Sequence, residues 1–205
     1  MRRIALIAAV VVAVLTAATL AGAAVPPGTN AAGPPAQEVA NLKREIAALK
    51  AQLAALQARS PEAVRRQLET VERVTDRFES VDAATARGYV QGSPCESSPQ
   101  GGMGFHYINP AAIQDPKLDP LKPEVLLYEQ RTGGLQLIGV EYMKVDSDQG
   151  LTTDGDRPML FGRAFDGPML GHSPGMPIHY DLHVWLQKRN PSGMFAQWNP
   201  EVSCK

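Results

Sequence analysis

The sequence predicts an α+β protein, with an N-terminal helical and coiled-coil-like stretch followed by a mainly antiparallel β domain. Two observations support this prediction. Apolar residues recur at spacings of three and four up to about Phe78, as on one face of a helix. Beyond Tyr89 they alternate with polar residues between Gly- and Pro-rich turns. The length of 205 residues suits one domain with extensions.

The first 24 residues have the features of an export signal. Arg2 and Arg3 form a short positive region, an apolar run covers residues 4–20, and Ala21-Gly22-Ala23 resembles a cleavage site. Residues 1–24 are therefore predicted to be a signal peptide, with an uncleaved membrane anchor as the alternative. In both cases we expect the rest of the chain outside the cytoplasm, secreted or in the cell envelope. Only this segment is then expected to contact a membrane.

The charge balance argues against a nucleic-acid partner. The net charge is −1, and no run of basic residues follows the N-terminus. Proteins that bind nucleic acid need clustered cations to neutralise phosphates.

A predicted linker and a predicted coiled coil precede the domain. Residues 25–37 are rich in Pro, Gly and Ala and predict a flexible linker. Over residues 38–59 apolar residues occupy every a and d position of three heptads: Val39, Leu42, Ile46, Leu49, Leu53 and Leu56. The g and e positions pair Glu38 with Lys43 and Glu45 with Lys50 between parallel helices. We expect a homo-oligomer through this helix, or else a single amphipathic helix that packs on its own domain.

Residues 60–205 are predicted to form one α+β domain closed by a disulfide. Ser60-Pro61-Glu62 is typical of a helix start, and Gly88 is predicted to end a short helix over residues 82–87. Cys95 and Cys204 are the only cysteines, and in an oxidising compartment two such thiols are expected to pair.

The β part begins at Tyr89 and contains a predicted hairpin. Residues 124–130 and 135–145 have the composition of strands, and Thr132-Gly133-Gly134 lies between them. Residues 178–186 alternate apolar and polar side chains and predict a further strand.

Several segments of this domain resemble a group of exported bacterial proteins. They are GMGFHYINP (102–110), PEVLLYE (123–129), VEY (140–142), HYDLHVW (179–185) and NPSGMF with the following WNP (190–200). The resemblance covers about residues 78–204. It implies export and a single domain, and it implies no activity.

The histidines carry most of the chemistry that the sequence offers. Alternation along a strand places His179, Asp181 and His183 on one face. Four strand residues span about 13 Å, so His179 and His183 are too far apart to bind one ion. Asp181 with one of these histidines, completed by His106 or Glu141, is the predicted unit. The candidate ligands of a divalent transition metal are therefore His106, Glu141, His179, Asp181 and His183.

Three interpretations of this face remain open: a structural polar network, a metal or small-ligand site, and acid–base catalysis. No serine lies in a nucleophile motif. The acidic segment 146–157 departs from the EF-hand pattern, because Gly150 comes one position early and Arg157 stands in the last ligand position. The sequence thus favours an exported non-enzymatic binding or envelope-structural protein with a histidine and carboxylate site. A metal-dependent extracytoplasmic enzyme that uses the same residues is the alternative.

Overall fold

The computed structural model describes residues 36–172 and 175–204. The predicted signal or anchor and residues 25–35 of the predicted linker lie outside the described residues. The described residues belong to two units, with the division between Lys50 and Ala51. The described part of the chain has no helix that is both long and apolar enough to cross a membrane.

The first described element is a helix of 23 residues, α1 (Ala36–Ala58). It begins two residues before the predicted coiled coil, inside the predicted linker. None of its residues is buried, and its six a and d side chains are all exposed.

Three short helical segments follow, α2 (Pro61–Thr75), a 3₁₀ turn (Asp76–Phe78) and α3 (Val81–Thr85). Ser60 caps α2 by accepting a hydrogen bond from the Ala63 N–H, and Pro61 occupies the first turn. Leu68, Val71 and Phe78 are buried and join the main core, so these segments form one side of the domain.

The sheet has seven strands, all paired antiparallel, in the order β1-β3-β4-β5-β9-β8 with β2 also paired to β3. The strands are β1 (Val90–Gln91), β2 (Glu96–Ser98), β3 (Gly101–Ile108), β4 (Val125–Arg131), β5 (Gly134–Val145), β8 (Asp166–Met169) and β9 (His179–Val184). A separate hairpin pairs β6 (Met159–Leu160) with β7 (Arg163–Ala164), and α4 (Pro110–Gln114) connects β3 to β4. This arrangement is the predicted α+β fold.

The predicted hairpin is formed by β4 and β5. Its strands are joined at Thr132 and Gly133, and Gly133 and Gly134 have φ of 104° and 125°. These positive φ values suit glycine because it lacks a Cβ. Register runs from Arg131 opposite Gly134 to Val125 opposite Glu141, with a bulge after Leu127.

The two faces of the sheet have different surroundings. On one face Tyr128, Tyr142, Tyr180 and Leu182 pack in the main core with the helices. The other face carries Glu141, Asp181 and His183, because successive side chains of a strand point to opposite faces. Residues paired in register on neighbouring strands project to the same face. Ile108, Val125, Glu141 and His183 lie in one row across β3, β4, β5 and β9, and the row of Met143 and Asp181 follows.

The predicted disulfide between Cys95 and Cys204 is present, with a Cα–Cα distance of 5.5 Å. It joins the residue before β2 to the C-terminal segment. That segment also contacts β3, where Gly102 and Asn199 exchange backbone hydrogen bonds of 3.0 Å. Disulfides of this kind persist in oxidising compartments.

Candidate metal centre

A cavity of about 310 Å³ lies on the polar face of the sheet. His106, Glu141 and His183 reach it from β3, β5 and β9. Segments 92–96 and 172–177 supply further lining residues, although residues 173 and 174 lie outside the described residues. Strands from distant parts of the sequence and two loops thus meet at one concave site.

Three potential ligand atoms converge in this cavity, those of His106, Glu141 and His183, which form the ligand group. All three atoms lie within 4.8 Å of one another. Glu141 Oε2 is 3.4 Å from His106 Nε2 and 3.8 Å from His183 Nε2. Ligands held ~2.1 Å from one tetrahedral ion lie ~3.4 Å apart, so small side-chain adjustments would allow all three to bind one ion.

The register of the sheet explains why these residues meet. Glu141 on β5 is paired directly with His183 on β9, so both project into the cavity side by side. His106 lies on β3, two strands away from Glu141, and is paired with Leu127 on the intervening β4. Its imidazole spans that strand to bring Nε2 to the Glu141 carboxyl group.

Ser93 orients the His106 ring. The Ser93 hydroxyl donates to the Pro94 carbonyl at 2.9 Å, and its oxygen lies 3.0 Å from His106 Nδ1. When the single hydroxyl hydrogen is donated to Pro94, Ser93 Oγ is left to accept from Nδ1–H. His106 Nε2 then carries the free lone pair and faces Glu141. Such outer hydrogen bonds commonly fix the tautomer of metal-binding histidines.

Asp181 lies beside His183 and outside the ligand group. Its Oδ1 is 3.8 Å from His183 Nδ1, the nitrogen that points away from Glu141. Both residues are almost fully buried, with side-chain exposures of 1%. If the two side chains approached by less than 1 Å, Asp181 would accept a hydrogen bond from His183 Nδ1–H. That hydrogen bond would fix the proton on Nδ1 and leave His183 Nε2 free to bind a metal.

His179 also lies outside the ligand group. Its Nδ1 donates to the Pro177 carbonyl at 3.1 Å, and its ring contacts that of exposed His172 at a centroid distance of 5.2 Å. In the sheet it is paired with Val145, two rows from Glu141. The five candidate ligands thus separate into three that converge, one beside them and one apart.

The site concentrates buried polar atoms without hydrogen-bond partners. Five of these atoms belong to residues that line the cavity: Glu141 Oε2, both ring nitrogens of His183 and both carboxyl oxygens of Asp181. Among the described residues, His179 Nε2 and Gln187 Oε1 are further atoms of this kind, and neither residue lines the cavity. Buried polar groups are normally paired because an unpaired one costs free energy. A bound cation would engage two of these atoms, Glu141 Oε2 and His183 Nε2.

Burial shifts the pKa of His106, His183, Asp181 and Glu141 towards the neutral form of each side chain. It lowers the pKa of His106 to about 4 and that of His183 to about 3. It raises the pKa of Asp181 to about 7 and the pKa of Glu141 well above its usual range. At neutral pH both histidines are uncharged and offer lone pairs, as metal binding requires.

The carboxylates of the acidic loop after β5 accept hydrogen bonds from other groups of the protein. Asp146 accepts from the Gly150 N–H at 2.8 Å, Asp148 from the Thr153 hydroxyl at 2.9 Å, and Asp156 from the Tyr180 hydroxyl at 2.9 Å. These side chains organise the loop.

Sequence reasoning missed the polar residues Ser93 and Glu96 and the apolar residues that line the cavity. The one sequence signal of Ser93 and Glu96 is their position on either side of Cys95. Comparisons with known proteins add no further residues: no protein family, curated protein or solved structure matches this chain.

Proposed function

We propose that this chain is an exported metalloprotein in which His106, Glu141 and His183 bind one divalent transition-metal ion. The convergence of three ligand atoms from three strands within 4.8 Å carries the proposal. Two imidazole nitrogens and one carboxylate oxygen suit ions such as zinc and iron(II). The unpaired buried atoms support the same assignment, and so do the positions of Ser93, 3.0 Å from His106 Nδ1, and Asp181, 3.8 Å from His183 Nδ1.

Export is the second part of the proposal. The charged and apolar start of the chain has the pattern of a signal peptide, and the Cys95–Cys204 disulfide suits an oxidising compartment. Fractionation of the native host tests this part. We expect the protein outside the cytoplasm, with a mature N-terminus near Ala24 if the signal is cleaved. Recovery of the full-length chain in the soluble cytoplasm would contradict it.

Metal-dependent catalysis is the second candidate function, and the cavity favours it. Three protein ligands leave at least one coordination position of a tetrahedral ion free. Because the ligand group lines the cavity, that position would be available to a small molecule. Catalytic zinc sites and 2-His-1-carboxylate iron sites share this ligand set with an open position.

Cobalt(II) titration of the full mature chain tests metal binding, because the visible absorption of the ion reports its ligands. We expect one site per chain and loss of at least a hundredfold in affinity in His106→Ala, His183→Ala and Glu141→Gln. Ser93→Ala keeps all three ligands and is expected to lose tenfold to a hundredfold, as removal of outer partners usually does.

His179→Ala is the matched control, because His179 is equally buried and lies on the same face of β9 as His183. We expect it to bind cobalt like the wild type. Failure of the wild type to bind, or equal losses in His179→Ala and His183→Ala, would overturn the proposal.

A further inference from the structure

We infer that the open side of this metal site binds a neutral, mainly apolar small molecule that donates one lone pair to the ion. This inference rests on the proposed function, since it assigns the kind of ligand that the metal site takes. It follows from the surroundings of the ligand group, which contrast in polarity with the group itself.

Apolar side chains form most of the cavity wall. Those that surround the ligand group are Met103, Ile108, Ile113, Val125, Met143 and Met176. Val125 and Met143 are buried neighbours of Glu141 in the sheet. Val125 is paired with Glu141 on the adjacent strand β4, and Met143 lies two residues after Glu141 on β5. Ile113, on α4, is half-buried at the margin of the cavity. A ligand bound to the ion would therefore place the rest of its surface against hydrocarbon and thioether groups.

The charges around the cavity disfavour an anionic ligand. None of the described residues that line the cavity is a lysine or an arginine. Three acidic residues line it: Glu96, Glu141 and Asp181. An ionised group elsewhere on the ligand, away from the atom that meets the metal, would have no counter-charge and would lose its hydration. Neutral ligands avoid this cost.

The size of the cavity limits the ligand to one small molecule. Its volume of about 310 Å³ is at the lower end of the ~300–1,000 Å³ range of small-molecule sites. Such a volume holds a ring with short substituents.

Three imidazole derivatives with the same donor nitrogen test this inference on the cobalt(II)-loaded protein. The probes are imidazole, 4-phenylimidazole and 4-(imidazol-4-yl)benzoate, and the cobalt absorption spectrum reports their binding. We expect 4-phenylimidazole to bind at least tenfold more tightly than imidazole, because its phenyl ring is buried against the apolar wall. We expect the benzoate to lose that gain.

A wall variant locates the effect. Ile113→Asn, which adds no charge near the ion, is expected to weaken 4-phenylimidazole at least fivefold and to weaken imidazole by less. Leu121→Asn is the matched control, since Leu121 is partly exposed and does not line the cavity. Equal affinities for the three probes, or an effect of Ile113→Asn no larger than that of Leu121→Asn, would overturn the ligand assignment while cobalt binding stands. Absence of cobalt binding would overturn the metal site and the inference together.

Discussion

Burial acts in opposite directions on the two kinds of ionisable side chain that meet at the ligand group. It lowers the pKa of His106 and His183 and raises the pKa of Glu141 and Asp181, because a low-dielectric environment disfavours whichever form is charged. The metal-free site is therefore close to neutral. A bound dication would reverse this preference for Glu141, since the ion stabilises the carboxylate and displaces its proton.

The same effect gives a pH prediction for Glu124, a buried residue just before β4. Burial raises its pKa to about 7, although its carboxyl group accepts from the Met143 N–H at 3.3 Å. A raised folded-state pKa means that stability is lost as pH rises from about 4.5 to 7. Glu124→Gln keeps an oxygen that can accept from the Met143 N–H but does not ionise. It should therefore avoid the loss of about 3 kcal/mol in the free energy of unfolding that wild type undergoes over this pH range.

Urea unfolding at pH 5 and pH 8 measures this difference. The stability of Glu124→Gln relative to wild type should be about 2.5 kcal/mol more favourable at pH 8 than at pH 5. Glu79→Gln, at an exposed position, should show no such change. A constant difference between Glu124→Gln and wild type at both pH values would refute the prediction.

At the scale of single elements, α1 presents an apolar stripe to solvent. Its exposed fractions range from 36% for Val39 to 63% for Leu49. Val39 and Ile46 at a positions, with leucine at every d position, favour two parallel strands. The Glu38–Lys43 and Glu45–Lys50 pairs suit that orientation. We propose that α1 associates with a second copy of this chain as a parallel two-stranded coiled coil.

Sedimentation of the full mature chain tests this association. We expect a dimer for the wild type and a monomer for Ile46→Asp, because the charge would be buried at the centre of the seam. Ala47→Asp places the same charge on the outer side of the helix and should leave the dimer intact. A monomeric wild type at high protein concentration would exclude the coiled coil.

At the scale of the whole molecule, the disulfide connects the C-terminal segment to one wall of the cavity. Cys95 lies between Ser93, which orients His106, and Glu96, which lines the cavity. The bridge closes a loop with a sequence separation of 109. Stability and metal affinity are therefore expected to depend on the same covalent bond.

The double variant Cys95→Ala/Cys204→Ala tests this dependence. It should lower the free energy of unfolding by about 2–5 kcal/mol, because the unfolded chain gains conformational freedom. Cobalt affinity should fall with it, since Ser93 loses its anchor. Wild type in reductant provides the control and should behave like the variant. Unchanged stability in both would show that non-covalent contacts hold the C-terminal segment in place.

Much of the fold follows from local patterns in the sequence. Alternation assigned His179, Asp181 and His183 to the face opposite Tyr180 and Leu182, and the latter two do pack in the main core. The helix start at Ser60, the hairpin around Gly133 and the Cys95–Cys204 pair were also predictable, because each depends on short-range chemistry or on a single available partner.

The composition of the site depends on long-range pairing. Alternation assigns a side chain to a face but leaves its neighbours open, since these depend on strand order and register. Pairing of β5 with β9 sets Glu141 beside His183 and leaves His179 opposite Val145. The order β3-β4-β5 then brings His106 within reach, and the disulfide places Ser93 behind it. A shift of one residue in the β5–β9 register would have turned His183 away from Glu141, because side chains in a strand alternate between faces.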